Sequence, residues 1–282
     1  MSGERIFVFG MGYSARAFAA LVQPAWIRGT SRDGANGTRV FDGAKFDPAI
    51  AADLAAATHV IVSVPPGAAD PVLAACGDAL AVAPHLEWIG YLSSVAVYGN
   101  YAGAWVTERT TPHPKMERSV QRLAAERAWT KLAAGRDLPL AIFRLAGIYG
   151  PGRNAFVNLQ AGKAHRIVKP GQVFNRVHVD DVATALAAAM DRGAAGIFNV
   201  ADDLPAPPQD VVAYASEIMG VSAPPEVAYA AADLSPMARS FYADNKRVGN
   251  TKSKQELGWI LRYPTYRDGL AALWQAGAPG RR

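Results

Sequence analysis

Apolar residues fall along the chain in short unbroken runs, separated by stretches in which they return every three or four positions. Arg5 to Phe9 (RIFVF) is the first run; it ends at Gly10 and predicts a buried strand. Behind it, Ala15, Phe18, Ala19 and Val22 share one face of a predicted helix, with Ser14 as its cap. Trp26 to Thr30 predicts a second strand, and His59 to Val64 a third, stopped by Pro65 and Pro66. Glu87 to Leu92 and Leu138 to Leu145 predict a fourth and a fifth. Between those two a helical pattern runs from Lys115 to Ala134 and closes at Gly135. Strands separated by helices need crossover connections, so the predicted fold class is α/β with a doubly wound parallel sheet.

After Gly150 the texture changes. Pro and Gly become frequent, the strand-like runs shorten, and Leu204 to Gln209 (LPAPPQ) introduces another helix. This divides the chain into a first domain over 1–150, with 176–202 returning to it, and a smaller C-terminal lobe over 151–282. A chain of 282 residues, half of them hydrophobic and only 19% charged, can bury a sizeable core, which excludes wholesale disorder. The net charge of +5 comes from 29 Lys and Arg against 24 Asp and Glu, and no Lys/Arg run exceeds two residues. Without clustering, this balance predicts neither a nucleic-acid nor a membrane surface. Cys76 stands alone, so neither a disulfide framework nor a multi-cysteine metal site is expected, and it reads as a small buried hydrophobe. Neither a signal-peptide core nor an apolar run of ~18 residues is present, and the expectation is a soluble cytoplasmic protein. Oligomeric state, monomer or homodimer, stays open.

Gly10-Met11-Gly12-Tyr13-Ser14-Ala15 fits Gly-x-Gly-x-x-Ala between a strand and a helix, the fingerprint of a dinucleotide site. Gly10 permits the tight turn and Gly12 lets backbone approach a pyrophosphate. Ala15 lets the helix pack close to the strand, while the free amides around Tyr13 and Ser14 meet the anion. About 20 residues on, where a carboxylate would select NAD, stand Ser31 and Arg32. Arg32 suits a 2′-phosphate through charge-assisted hydrogen bonds, so NADP is the expected cofactor; Asp33 keeps NAD open. Ser63, at the end of the third strand, joins the cofactor-binding candidates.

Leu92-Ser93-Ser94-Val95-Ala96-Val97-Tyr98-Gly99 resembles the Ser-Ser-x-x-Val-Tyr-Gly signature of extended short-chain dehydrogenases/reductases, the nucleotide-sugar epimerase/dehydratase group. Arg144-Leu-Ala-Gly-Ile-Tyr-Gly-Pro-Gly152 and His178-Val-Asp-Asp-Val-Ala183 are similar to two later segments of that group, in order and spacing, over about the first 200 residues. The resemblance implies a Rossmann domain carrying NAD(P), with a small-molecule substrate held between it and the smaller lobe. It also implies that a serine, matched by Ser94, works with a Tyr-x-x-x-Lys pair.

That pair does not match. Glu126 fits a Glu that commonly follows the Lys by four residues, and counting back puts Arg122 at the Lys and Arg118 at the Tyr. No Tyr lies between Thr107 and Ile148. Arg118, permanently protonated, is a poor general acid but could polarise an oxyanion, and Arg122 could bind ribose. Without the resemblance, Arg118, Arg122 and Glu126 read as a solvent-exposed ladder of ion pairs. Gly147 stands where the group often has a phosphate-contacting Asn, and Phe174 where it often has an Arg, with Arg176 displaced by two. Both departures weigh against a nucleotide sugar.

Tyr98, Tyr149 and His178 are the substrate-contact candidates, the two tyrosines because each follows a strand end. Asp180 and Asp181 read as an N-cap and dipole partner of a helix, not as a metal site. Arg153, Arg166 and Lys169 form a basic cluster in the second lobe that reads either as an anion site or as loop charges. A hydrolase built on Ser94 is disfavoured because Gly-x-Ser-x-Gly is absent there. Two readings remain: an NADP-dependent oxidoreductase or epimerase-like enzyme with altered proton-transfer groups, and a non-catalytic NADP-binding sensor.

Overall fold

A computed structural model of the chain describes residues 3–43 and 47–277. Strand and helix alternate at first: β1 (Arg5–Phe9), α1 (Tyr13–Leu21), β2 (Trp26–Ser31), β3 (Arg39–Val40), α2 (Ala49–Ala56), β4 (His59–Val62), α3 (Pro71–Val82) and β5 (Trp88–Ser94). A short β6 (Trp105–Val106) precedes the long α4 (Glu117–Ala134), which leads to β7 (Leu140–Leu145) and β8 (Gly147–Tyr149). Next come α5 (Ala155–Gln160), β9 (Arg166–Val168), β10 (Arg176–His178), α6 (Val179–Asp191) and β11 (Gly196–Val200). The remainder holds α7 (Pro208–Met219), β12 (Glu226–Ala228), α8 (Pro236–Phe241), β13 (Arg247–Val248), α9 (Thr251–Leu257) and α10 (Tyr266–Gln275).

Seven strands form one parallel sheet in the order β11-β7-β5-β4-β1-β2-β3. Because side chains alternate across a strand, β1 sends Ile6 and Val8 into the core under α1 and α6, and Phe7 and Phe9 into the core under α2, α3 and α4. A sheet covered on both faces needs apolar residues at every position, which is why RIFVF, HVIV and LAIFRL read as unbroken runs. The strand order reverses between β1 and β4, and the crevice above their C-terminal ends is where ligands collect in open sheets. Three two-stranded ribbons, β8–β10, β9–β12 and β6–β13, lie outside this sheet among the described residues.

Local chemistry moved some predicted boundaries. α1 is entered at Gly12, with no side-chain cap, and Ser14 is buried inside its first turn, so Ser14 does not cap it. α4 starts at Glu117, because Met116 is extended. α7 does begin in the proline-rich stretch, with Pro208 at its first position, where the missing N–H costs nothing. Cys76 is buried in α3, and burial pushes its thiol up to about 11. α6 is capped by His178, whose Nδ1 accepts from the Asp180 amide at 3.2 Å; Asp180 and Asp181 occupy the first turn instead of the cap. Asp181 has a different task. Its two oxygens accept from the Arg262 and Tyr263 amides at 2.6 and 3.1 Å, which ties the chain ahead of α10 to α6.

Candidate active site

The glycine loop is fixed by the end of β2. The Gly10 amide donates to Thr30 Oγ1 at 2.9 Å and the Met11 amide to the Thr30 carbonyl at 2.7 Å. Gly10 has a φ of +87°, where a side chain is strained, and a Cβ there would press on Val64 at 3.1 Å. At Gly12 a Cβ would meet nothing closer than the Gly10 carbonyl at 3.9 Å. The protein's own packing therefore does not demand glycine at that position, and the room left open lies over the N-terminus of α1. No acidic residue and no side-chain cap takes up the first-turn amides of α1. Free helix amides beside an open glycine are what a pyrophosphate requires, so the residues fit a dinucleotide. Beside them a recess of about 490 Å³ is lined by Gly12, Tyr13, Arg16, Pro151 and Asp180. The Tyr13 hydroxyl donates to the Pro151 carbonyl at 3.0 Å, which ties the glycine loop to a segment 138 residues later.

At the far edge of β2, the Asp33 carboxylate turns back on its own loop. One oxygen accepts from Ser31 Oγ at 2.8 Å and from the Ala35 amide at 3.1 Å, and these bonds hold its pKa down. Arg32 is exposed and makes no hydrogen bond or ion pair among the described residues. Ser63 follows β4, its amide bonded to the Phe9 carbonyl at 2.8 Å, directly across the crevice from the glycine loop.

Below this crevice a cavity of about 960 Å³ opens between the sheet and the C-terminal segments. Ser94, Arg118, Arg122, Tyr149, Arg153 and Arg176 are among its lining residues. Ser94 ends β5, and its Oγ accepts from the Ala96 amide at 3.2 Å. That bond occupies an acceptor site and leaves the hydroxyl proton free to donate. Arg122 reaches from α4 to the same strand: Nη1 donates to the Leu92 carbonyl at 2.9 Å, and its guanidinium lies 5.9 Å from the Tyr91 ring.

Arg118 behaves differently. Its Nη2 donates to Ser240 Oγ at 2.9 Å, Nη1 contacts the Met237 sulfur, and its guanidinium covers the Phe241 ring at 4.7 Å. Instead of facing Ser94 as a free electrophile, it fastens α8 to α4. Glu126 does not belong to a solvated ladder. It is 3% exposed, accepts from Ser93 Oγ at 2.5 Å, and pairs with Arg144 of β7. An arginine inside the apolar run LAIFRL was the sequence signal that a buried carboxylate must exist nearby.

Two of the substrate candidates are displaced from the cavity. Tyr98 is fully buried, its hydroxyl donating to Asn199 Oδ1 at 2.7 Å and its ring lying under Arg144, because the turn after Ser94 points it into the core. His178 is 2% exposed between Tyr149 and Tyr263, and burial pushes its pKa down to about 4; it caps a helix and is not among the residues lining this cavity. Tyr149 does line the cavity, with its hydroxyl 3.4 Å from the Thr265 carbonyl and its pKa raised by burial. Of the basic cluster, Arg153 alone lines it. Arg166 pairs with Glu226, and Lys169 bonds the Tyr242 carbonyl. Sequence reasoning missed Lys246, a buried lysine of the cavity wall whose Nζ donates to the Gly99 carbonyl at 2.7 Å.

Among solved structures, a conserved protein of unknown function from Silicibacter pomeroyi DSS is 46% identical and superposes with a TM-score of 0.87, covering 97% of this chain and 99% of that one. The human epimerase family protein SDR39U1, solved with NADPH, shares the fold at 16% identity and a TM-score of 0.72, over 96% of this chain and 99% of its own. Others of this fold are described with NADPH or with NAD. A curated relative, the 3-diazoavenalumate denitrifying reductase of Streptomyces sp, is 30% identical over 151 residues; the match spans 50% of this chain and about half, 49%, of that protein. The family model for NAD dependent epimerases/dehydratases matches residues 3–201, which takes in the glycine loop, Ser94, Arg144 and the strand that closes the sheet. This chain belongs to the NAD dependent epimerase/dehydratase family.

Proposed function

We propose that the chain is an NADP-dependent oxidoreductase that reduces a carbonyl, or oxidises the matching alcohol, in the cavity beside Ser94. The observation that carries this reading is that a donor-ready Ser94 hydroxyl at the end of β5 and the Arg122 cation, which reaches the Leu92 carbonyl of the same strand from α4, line one cavity. The Gly10–Ala15 loop and the first amides of α1 would hold the pyrophosphate, with Ser31 and Arg32 at the adenosine ribose and Ser63 at the crevice. The bound nicotinamide supplies or accepts a hydride. Ser94 would donate a hydrogen bond to the substrate oxygen as negative charge builds on it, and the Arg122 charge would lower the energy of that state. Water in the cavity would deliver the proton that the family's tyrosine gives elsewhere. The Streptomyces relative, named as a reductase, supports the reductive direction.

NADP is favoured over NAD because the Asp33 carboxylate is engaged by Ser31 and Ala35, while Arg32 is unengaged. The test is a fluorescence titration with NADPH and NADH, followed by single-turnover absorbance at the nicotinamide band with a library of carbonyls and alcohols. Redox change that Ser94→Ala slows by about 10²- to 10³-fold is expected. The attachment of Arg118 to α8 favours a second reading, a non-catalytic NADP-binding protein whose lobe responds to the cofactor. Tight NADPH binding with no turnover across the library would select it.

A further inference from the structure

The cavity wall carries six cationic side chains, Arg118, Arg122, Arg153, Lys163, Arg176 and Lys246, against one acid, Asp244. Asp244 lies 3.6 Å from Lys246, and Arg118 is taken up by α8. Arg176 is the one with least reason to be there. It lies half-buried in the wall on β10, where desolvation pushes its pKa down. It forms no ion pair among the described residues; Asp202 acts on it only through space. Its Nη1 donates to the carbonyls of Phe174 and Ala206 at 3.0 and 3.1 Å. Its Nε and Nη2 have no acceptor among the described residues and stay open to the cavity. Those two N–H groups form one edge of the guanidinium, the edge that meets a carboxylate side-on with two parallel bonds. Around it stand Tyr266, 5.9 Å from the guanidinium, together with Tyr149, Phe174 and Tyr242.

From this arrangement, and resting on the reading of the cavity as the substrate site, we propose that the substrate is a carboxylate with an apolar or aromatic body, and that Arg176 is its carboxylate receptor. Three of the five N–H groups of this half-buried cation are left unpaired by the protein, and a carboxylate in the cavity would complete two of them. The tyrosine and phenylalanine walls suit an aromatic or alkyl body. At Arg176 itself the free edge matches the two oxygens of a single carboxylate, so a carboxylate is favoured there over a phosphate dianion or a nucleoside diphosphate. The carboxylate end would lie against Arg176 and the reacting oxygen against Ser94, which lines the same cavity.

The full chain titrated calorimetrically with 4-phenylbutanoate, 4-phenylbutanol, 4-phenylbutylamine, 4-phenylbutyl phosphate and uridine diphosphate decides the class. The carboxylate should bind at least tenfold tighter than the alcohol and the phosphate, and the amine and the nucleotide more weakly still. Arg176→Gln should erase the preference for carboxylate over alcohol, and Arg176→Lys should keep part of it. If Arg176→Gln fails to fold, protection of Arg176 from phenylglyoxal by 4-phenylbutanoate, read by peptide mass spectrometry, replaces it. Equal binding of alcohol and carboxylate, tighter binding of the phosphate or nucleotide, or no protection of Arg176 would each overturn the proposal. A parallel NADPH titration separates the two readings: failure of NADPH to bind removes the cofactor assignment and leaves the carboxylate result standing.

Discussion

Arg144 of β7 grips the Glu126 carboxylate of α4 with two hydrogen bonds, Nη2 to Oε2 at 2.7 Å and Nε to Oε1 at 3.1 Å, and neither side chain is more than 4% exposed. Ser93 of β5 donates to the same carboxylate at 2.5 Å. One carboxylate thus joins the helix that carries Arg118 and Arg122 to two neighbouring strands. Removing one partner of such a buried pair strands the other. Glu126→Ala should therefore cost about 3–5 kcal/mol in urea unfolding, whereas Arg127→Ala on the exposed side of α4 should fall within about 0.5 kcal/mol. Equal losses for the two variants would contradict a structural pair.

The Rossmann-type sheet could be read from the chain because period and punctuation agreed: buried strands are short apolar runs, Gly10 directly follows β1, and β4 ends at Val62, two residues short of the predicted Val64 and ahead of Pro65-Pro66. The glycine loop could be read too, because its chemistry is local. What the sequence hid were long-range choices. Tyr98 follows Ser94 in a turn, and only the rotation of that turn decides whether its hydroxyl meets a ligand or Asn199. Arg118 and Arg122 differ by one helical turn, yet α8, more than 110 residues later, claims one and β5 the other. Arg176 was visible only as a displaced residue, since the cavity it lines is assembled from segments far apart in the chain.

Cofactor choice should follow Arg32. If its guanidinium meets the 2′-phosphate, Arg32→Ala weakens NADPH about tenfold and leaves NADH within about threefold, since an exposed charge-assisted bond contributes roughly 1.5 kcal/mol. Fluorescence titration of both nucleotides measures this. A parallel drop for the two would show that Arg32 does not distinguish them.

The hold of Arg118 on α8 predicts a local effect. Arg118→Ala removes the bond to Ser240 and the cover over Phe241, which is 55% exposed already. Hydrogen exchange should accelerate over Pro236–Phe241 and not over β5, while global stability shifts by less than about 1 kcal/mol. Unchanged exchange in that helix would mean its packing does not depend on Arg118.

Asp202 gives the fold a pH dependence of definite sign. It is 2% exposed just beyond β11; one oxygen accepts from the Leu204 amide at 3.2 Å and the other has no partner among the described residues. Burial pushes its pKa up to about 7; the Leu204 amide and Arg176 pull it down, and the nearby carboxylates of Asp203 and Asp181 push the same way as burial. In the unfolded chain it titrates near 4. Between about pH 4 and pH 7 the folded state therefore holds a proton that the unfolded state has released, and stability falls as pH rises through that window. Asp181, raised to about 6, acts in the same direction, and His178, lowered to about 4, acts in the opposite one as pH falls. Both are present in wild type and in Asp202→Asn, so their difference isolates Asp202. The variant cannot ionise, and its Tm advantage over wild type should widen from about pH 5 to pH 8. The widening should match a few kcal/mol, since each tenfold change in proton affinity between the folded and unfolded states is worth ~1.4 kcal/mol. A difference that stays constant across that range would show that Asp202 is ionised in the folded protein throughout, already paired with Arg176.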